Sequence, residues 1–259
     1  MGLPWCSGSC CCGSPWASIK AWGVQMKGML AVVIPAYNEE ESLDNLMMAL
    51  EQTREELDFK VIFVDDGSTD GTREKIEGYM KARPWIDVVL HETNMGLARS
   101  LKDGFSHAAA QGYELIGQMD ADLTHPPALL KDMVKALEEA DAAVASRYVA
   151  GGGMRDVPGW RVLLSRAGNL GFRLILGIRT RDATSGYRIY RRRVLESIDL
   201  ASDSFGIQLE ATVKAERKGF TIAEVPFVLA NRKAGRSKFR LSYLLGYVPL
   251  ALRLAVRRR

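Results

Sequence analysis

From Leu30 onward the chain repeats one unit: a short apolar run stops at a polar or glycine-bearing turn, and an amphipathic segment follows. LAVVIPAYNEE leads into such a segment through Leu50, and Asn38 with Glu41 three residues on is expected to cap its start. FKVIFVDDGSTDGT repeats the arrangement, with a strand over Phe59 to Val64, a turn at Asp65-Asp66-Gly67, and Ser68 to Asp70 capping a helix to about Ala82. IDVVLHE is a third strand and Gly96 to Gln111 a third helix. YELIGQMDAD, PPALLKDMVKALEEA and AAVASRYV then read as strand, helix and strand. Each strand is apolar along its whole length, so both its faces must be covered. The expected fold class is therefore α/β: a mostly parallel central sheet with helices on both faces.

After Gly151-Gly152-Gly153 the rhythm changes. Trp160 to Ile178 reads as a helix in which Arg161, Arg166 and Arg173 interrupt apolar positions. DATSGYRIYRR is a loop entering a strand, Phe205 to Lys218 a helix bearing Gln208 and Glu210, TIAEVPFVLANR one more strand, and NRKAGRSK a basic loop. The closing FRLSYLLGYVPLALRLAVRRR is amphipathic. Leu241 to Leu252 is about half the roughly 20 residues a membrane-spanning helix needs, and it contains Pro249. It can lie in a membrane interface with its arginines on anionic headgroups, or pack Leu244, Leu245, Val248 and Leu252 on the core.

At 259 residues the chain can bury one sizeable core, and its 47% hydrophobic and 25% charged residues are ordinary for a globular domain. The net charge of +4 is unevenly spread: Arg232 to Arg259 holds nine Lys/Arg and no Asp/Glu, and Arg155 to Arg193 is arginine-heavy. An anionic partner for the C-terminal half follows. All four cysteines (Cys6, Cys10, Cys11, Cys12) lie in the first dozen residues, which excludes a disulfide-stapled core. Residues 1–28 lack the pattern of a signal peptide and are expected to be a disordered extension, with Met26 or Met29 a natural beginning.

Ligands of open α/β sheets bind beyond the carboxyl ends of the strands. There the chain places Tyr37-Asn38-Glu39, Asp65-Asp66, Asp120-Ala121-Asp122 and Ser146-Arg147-Tyr148. Turn formation explains aspartate and glycine at such positions but not tyrosine and arginine. Asp120 and Asp122, at i and i+2 of extended backbone, aim two carboxylates to the same side, and hard oxygen ligands of this kind suit Mg²⁺ or Mn²⁺ on a diphosphate. Neither GxxxxGK nor a GxGxxG after a strand is present, so kinase and dinucleotide chemistry gain no support.

Taken in order, Pro35-Ala36-Tyr37-Asn38-Glu39, VDDGSTDGT, NMGLARSLKDGF, MDADLTHPP, ASRY, DATSGYR and the GRSK loop resemble family 2 glycosyltransferases, and within them the dolichyl-phosphate mannosyltransferase branch. The resemblance spans about Met29 to Arg240. It implies a single-domain, GT-A-like nucleotide-diphospho-sugar transferase fold over 29–240, followed by a basic amphipathic segment over 241–259. It also implies site residues. Pro35, Tyr37 and Glu39 would surround base and ribose, and Asp66 with Asp65 would lie on the nucleobase side. Asp122 would ligate the metal on the diphosphate, with Asp120 facing ribose, sugar or the same metal. Thr124 stands where mannosyltransferases of the family often have a longer glutamine, and offers a shorter oxygen as a third metal ligand. Arg147, Arg161, Ser165 and Arg232 match positions that contact the acceptor phosphate, and Lys238 is a further candidate. Arg166, Arg173 and Arg191-Arg192-Arg193 read as solvated cations.

The activity so implied is inverting transfer of a hexose, mannose from GDP-mannose, to a polyprenyl (dolichyl-type) phosphate, with Asp120, Asp122 and Arg147 as the catalytic group and Mg²⁺ or Mn²⁺ as cofactor. An ionised phosphate needs no general base, so the site needs cations that hold it in line. The expected setting is cytoplasmic, peripheral to a membrane face, with room for an anchoring partner subunit and no nucleic-acid partner. Alternatives are another donor such as UDP-glucose with a different lipid or glycan acceptor, a nucleotidyltransferase, or a non-catalytic nucleotide-sugar-binding subunit. PAYNEEE after the first strand, where nucleotidyltransferases carry a glycine-rich basic loop, argues against the second. Retention of both aspartates and the arginine set argues against the third.

Overall fold

The computed structural model describes residues 29–230 and 241–256. The first half builds β1 (Leu30–Ala36), α1 (Glu40–Arg54), β2 (Lys60–Asp65), α2 (Thr72–Ala82), β3 (Ile86–Leu90), α3 (Leu97–Ala110), β4 (Leu115–Gln118), α4 (Leu130–Ala136) and β5 (Ala142–Ser146). Then come β6 (Gly153–Arg155), α5 (Gly159–Leu176), β7 (Arg188–Arg191), α6 (Arg192–Ser197), α7 (Ile207–Arg217), β8 (Ile222–Pro226), β9 (Val228–Ala230) and α8 (Leu241–Val256). The main sheet has seven strands in the order β3-β2-β1-β4-β7-β5-β8, and β6 pairs with β9 in a separate two-stranded ribbon.

Apolar residues at successive strand positions serve opposite faces of the sheet. Val32, Ile34, Val61 and Phe63 pack with Leu43, Leu46 and Leu50 of α1, Ile76 of α2 and Met133 of α4. Their neighbours Ala31, Val33, Ile62 and Val64 pack with Leu101, Phe105 and Ala108 of α3 and Ile207 and Ala211 of α7. A third cluster joins Leu176 and Ile178 at the end of α5 to Leu209 and Val213 of α7 and Leu254 of α8.

The expectation of alternating parallel strands fails at one place. β7 enters between β4 and β5 and runs antiparallel to both. The carboxyl ends of β1, β2, β4 and β5 therefore share one edge, and β7 begins at that edge instead of ending there. TIAEVPFVLANR, read as one strand, is two: β8 belongs to the main sheet, and β9 leaves it after Phe227.

The cap expected from Asn38 and Glu41 is also different. α1 has Glu39 at its N-cap without a side-chain cap bond. Asn38, in the left-handed region at φ 52°, accepts the Thr69 N–H through Oδ1 at 2.8 Å, tying the loop after β1 to the loop after β2. Of the 191–193 arginines, read as solvated cations, Arg193 is one, at 66% exposed, while Arg191 is tied into the fold. Arg191 donates to the carbonyls of Leu137 and Ala140 beyond α4, while Arg192 pairs with Glu114 and Arg193 with Asp141.

Candidate active site

The crevice at the shared strand edge is built from braced loops. After β2, Asp65 is fully buried and its carboxylate accepts Arg73 Nε at 2.9 Å and the Ser68 N–H at 3.3 Å. Asp66 accepts the N–H groups of Met95 and Gly96, each at 2.9 Å, and lies 2.8 Å from His91 Nδ1. His91 Nε2 is 3.1 Å from Asp103, so one buried imidazole spans two carboxylates. Both aspartates thus shape the crevice floor through protein donors. Gly67 completes the turn at φ 71°, where a Cβ would fall 2.4 Å from the Thr93 carbonyl carbon. Pro35, Tyr37 and Glu39 lie partly buried at the end of β1, and Glu39 accepts the Ser42 hydroxyl.

The Asp-Ala-Asp loop is held from two directions. Asp122 Oδ1 accepts both the N–H of Thr124 at 3.0 Å and its hydroxyl at 2.6 Å, closing an Asx-type turn. Between them Leu123 sits at φ 62°, a left-handed conformation that costs a non-glycine residue about 1–3 kcal/mol. From the other side, His125 is buried and its Nδ1 accepts the Asp120 N–H at 3.0 Å, so the ring proton sits on Nε2. The His125 ring stacks on Tyr187 at 4.9 Å, and Phe227 meets it edge-on. Tyr187 donates its hydroxyl to Pro126 O at 3.0 Å, and Gln118 Nε2 donates to Gly186 O at 2.8 Å. The antiparallel β7 thus brings its preceding loop against the carboxylates. The Asp120 side chain stays 47% exposed, open to a ligand from the crevice.

Gly186 and Gln208 were not singled out as site residues from sequence. A Cβ on Gly186 would lie 3.7 Å from Asp120 Oδ1, 3.6 Å from His125 Cε1 and 3.8 Å from Gln208 Nε2, so the absent side chain leaves these three groups around one space. Gln208 is 5% exposed, and its Oε1 is buried with no hydrogen-bond partner among the described residues. Their only sequence signal was membership in DATSGYR and in the α7 helix.

Arg147, at the end of β5, forms a two-pronged pair with Asp182, Nε and Nη2 each lying 2.7 Å from a carboxylate oxygen. Burial works to raise the Asp182 pKa, and the Arg147 bonds and charge outweigh it, holding the carboxyl below its usual range. Asp182 in turn receives its position from Glu224, which accepts its N–H at 3.0 Å. Thr184 accepts from Arg147 Nη2 and from Asn169 Nδ2, each at 3.1 Å, carrying the network onto α5. There Ser165 Oγ lies 2.6 Å from the Tyr148 hydroxyl, and Arg161 stacks over Trp160 at 5.3 Å. Arg188, wholly buried, donates to the carbonyls of Ser185 and Ala183 and to Thr212, fixing the 182–185 loop from below. Arg232 and Lys238 lie outside the described residues.

No trio of His, Cys, Asp or Glu among the described residues is arranged to hold a metal alone. Two carboxylates and a hydroxyl on one loop instead fit Mg²⁺ or Mn²⁺, ions that complete their shell with substrate phosphates and water. A doubly wound sheet with an Asp-x-Asp loop at its carboxyl edge defines a GT-A-like glycosyltransferase. Residues 31–199 match the model for glycosyl transferase family 2, and the chain belongs to that family. It is 39% identical over 212 residues to a polyprenol monophosphomannose synthase of Mycolicibacterium smegmatis, spanning 80% of this chain and 79% of that one. It is 37% identical to an undecaprenyl-phosphate mannosyltransferase of Micrococcus luteus, over 80% and 85% of the two chains. With a dolichol-phosphate mannosyltransferase of Pyrococcus furiosus it shares 32% identity over 87% of this chain and 63% of the relative. Among solved structures, glucosyl-3-phosphoglycerate synthase of Mycobacterium tuberculosis with Mg²⁺ and UDP has the same fold, at TM-score 0.67 and 22% identity over 95% of this chain and 84% of the other. The same enzyme has also been solved with Mn²⁺ and UDP.

Proposed function

We propose that this glycosyltransferase moves mannose from GDP-mannose onto a polyprenyl monophosphate, inverting the anomeric centre, while resting on the cytoplasmic face of a membrane. The observation that carries the reading is the pairing of a braced Asp120/Asp122 loop with an arginine-lined wall across the same sheet edge, in a chain 32–39% identical to three polyprenyl-phosphate mannosyltransferases. Asp122 and Asp120 would hold a divalent cation, which when bound neutralises the diphosphate leaving group. Thr124 orients Asp122 by its two bonds, and His125 fixes the backbone of Asp120. Tyr37 offers a flat face and Glu39 an acceptor to the nucleoside. The space bounded by Asp120, Gly186 and Gln208 receives the hexose, whose hydroxyl gives the buried Gln208 Oε1 the donor it lacks. The acceptor phosphate, already ionised, attacks from the side of Arg147, Arg161 and Ser165. Because Asp182 neutralises most of the Arg147 charge, Arg147 positions the acceptor and Arg161 supplies the greater attraction, with Arg232 and Lys238 as further cations. Direct displacement converts an α-linked donor to a β-linked product.

No helix among the described residues is long and apolar enough to cross a membrane. Purified protein incubated with Mn²⁺ or Mg²⁺, a short polyprenyl phosphate and a panel of nucleotide sugars should label the lipid from GDP-mannose and lose activity in EDTA. Transfer from UDP-glucose alone, or to a water-soluble glycan as readily as to the lipid, would replace this assignment of donor or acceptor.

A further inference from the structure

Core packing of the C-terminal stretch does not run through Val248 and Leu252, which are 55% and 61% exposed, and the side chains of Leu244 and Leu245 lie outside the described residues. The packed face of α8 is Tyr247, Leu250, Ala251 and Leu254, at the i, i+3, i+4 and i+7 spacing of one helical face. That face lies along α7. Leu254 packs with Leu209 and Val213, and its carbonyl accepts Arg217 Nη1 at 2.8 Å at the end of α7.

At the other end of α7 the contacts are closer. Tyr247 donates its hydroxyl to Phe205 O at 3.1 Å, one residue ahead of the Gly206 N-cap, while its ring meets that of Phe172 on α5 at 5.7 Å. A Cβ on Gly206 would fall 2.3 Å from Leu250 Cδ2, so the Leu250 side chain fills the place that a side chain at the N-cap would take. From within, the Glu210 carboxylate accepts the N–H groups of Ala201 at 3.2 Å and Ser202 at 2.7 Å. The first turn of α7 is therefore clamped between Glu210 on one side and α8 on the other.

That turn carries Gln208. Its Oε1 is buried without a partner among the described residues, so no protein bond fixes that end of the amide. Its Nε2 borders the space beside Gly186 that Asp120 Oδ1 borders as well. Where the amide lies follows from where α7 begins, and α8 sets that.

We infer that Tyr247 and Leu250 are positioning residues for the hexose of the donor: α8, seated on Phe205 and Gly206, holds the first turn of α7 so that Gln208 meets the sugar. The inference rests on the assignment of the space between Asp120, Gly186 and Gln208 to the hexose. It gives the C-terminal helix a part in donor binding, through a contact that touches neither the nucleotide nor the acceptor.

The test compares GDP-mannose with GDP, because a loss confined to the hexose raises the dissociation constant of the first and spares the second. Tyr247→Phe keeps the ring against Phe172 and removes only the bond to Phe205 O. Leu250→Ala empties the place beside Gly206. Calorimetry on the full chain with Mn²⁺ and no acceptor should show the ratio of the GDP-mannose to the GDP dissociation constant rising about fivefold in Gln208→Ala, the effect of one hydrogen bond. It should rise at least about twofold in Tyr247→Phe and in Leu250→Ala, with GDP binding and circular dichroism unchanged. Tyr247→Phe/Gln208→Ala should be no worse than Gln208→Ala alone, since both changes act on one contact. A ratio that moves in Gln208→Ala but in neither α8 variant would overturn the inference and leave Gln208 on the hexose. So would additive losses in the double variant, or GDP binding that weakens in step with GDP-mannose. A ratio that moves in none of them would overturn the hexose assignment as well. Wild type that favours another nucleotide sugar would fault the donor assignment alone, because the same ratio taken with that sugar and its own diphosphate tests the inference equally.

Discussion

At the scale of single residues, Thr124 holds its neighbour Asp122, the proposed metal ligand, by a side-chain bond. Its hydroxyl donates to Asp122 at 2.6 Å, so it fixes the direction of the carboxylate proposed to meet the cation. Thr124→Val keeps the shape and removes that bond. The metal concentration giving half-maximal activity should rise about tenfold, as for other groups that orient metal ligands, while thermal stability stays level. Thr124→Ser should retain the wild-type value, and Asp122→Asn should abolish transfer. An unchanged metal requirement in the valine variant would rule out the orienting role. Asp120 and Asp122 were legible in the sequence as carboxylates just past an apolar run, but not their geometry: β4 ends at Gln118, and Asp122 lies in a turn rather than on the extended backbone that was expected to aim both to one side. His125, Gly186 and Gln208 were not legible as site residues. His125 takes its place from stacking on Tyr187, 62 residues on, and the gap at Gly186 acquires its meaning only from Asp120 and His125, more than 60 residues back, and Gln208 on α7.

At the scale of elements, the Arg147–Asp182 pair fastens the end of β5 to the loop before β7. Its two 2.7 Å bonds lie in a site where Asp182 has no exposure, so removing one partner strands a buried charge. Arg147→Ala should cost about 3–5 kcal/mol of stability, measured from denaturant midpoints, and Arg147→Ala/Asp182→Asn clearly less. Equal losses in the single and double variants would show that the pair is not coupled. The consequence for enzymology is direct: activity lost in Arg147→Ala includes loss of the loop, and the double variant separates loop order from acceptor binding. The arginine was read from sequence as a phosphate ligand because it ends a strand at the crevice. Its partner lies 35 residues on and was invisible to periodicity. α5 teaches the same point in reverse. Its apolar and arginine positions were correctly placed on a helix, but which face meets protein and which meets solvent depended on what packs beneath it.

Across the whole molecule, buried or bonded carboxylates give stability a common pH dependence. In Asp182 and Asp141 burial raises the pKa, and hydrogen bonds from Arg147 and from Thr221 and Arg193 overcome it. Asp87, held by His107, and Asp70, held by Thr72, are likewise lowered from 3.8. A carboxyl with a folded pKa below its unfolded value stabilises the fold above the unfolded value and loses that contribution as pH falls through the folded one. Unfolding midpoints should therefore hold level above about pH 5 and drop from about pH 4 downward, less steeply in Asp182→Asn. A midpoint insensitive to acid down to pH 3 would contradict the assignment. The sequence by itself determined the α/β class, the doubly covered sheet and the edge on which the crevice opens. Those follow from hydrophobic period and from turn residues, both local properties of the backbone. Only the tertiary structure decided that β7 is inserted antiparallel between β4 and β5. That choice depends on which strand offers its hydrogen-bonding edge to which, a pairing between distant segments that no local pattern encodes. It carries the 182–187 loop to the carboxylates and, with it, Asp182 to Arg147 and Tyr187 to His125.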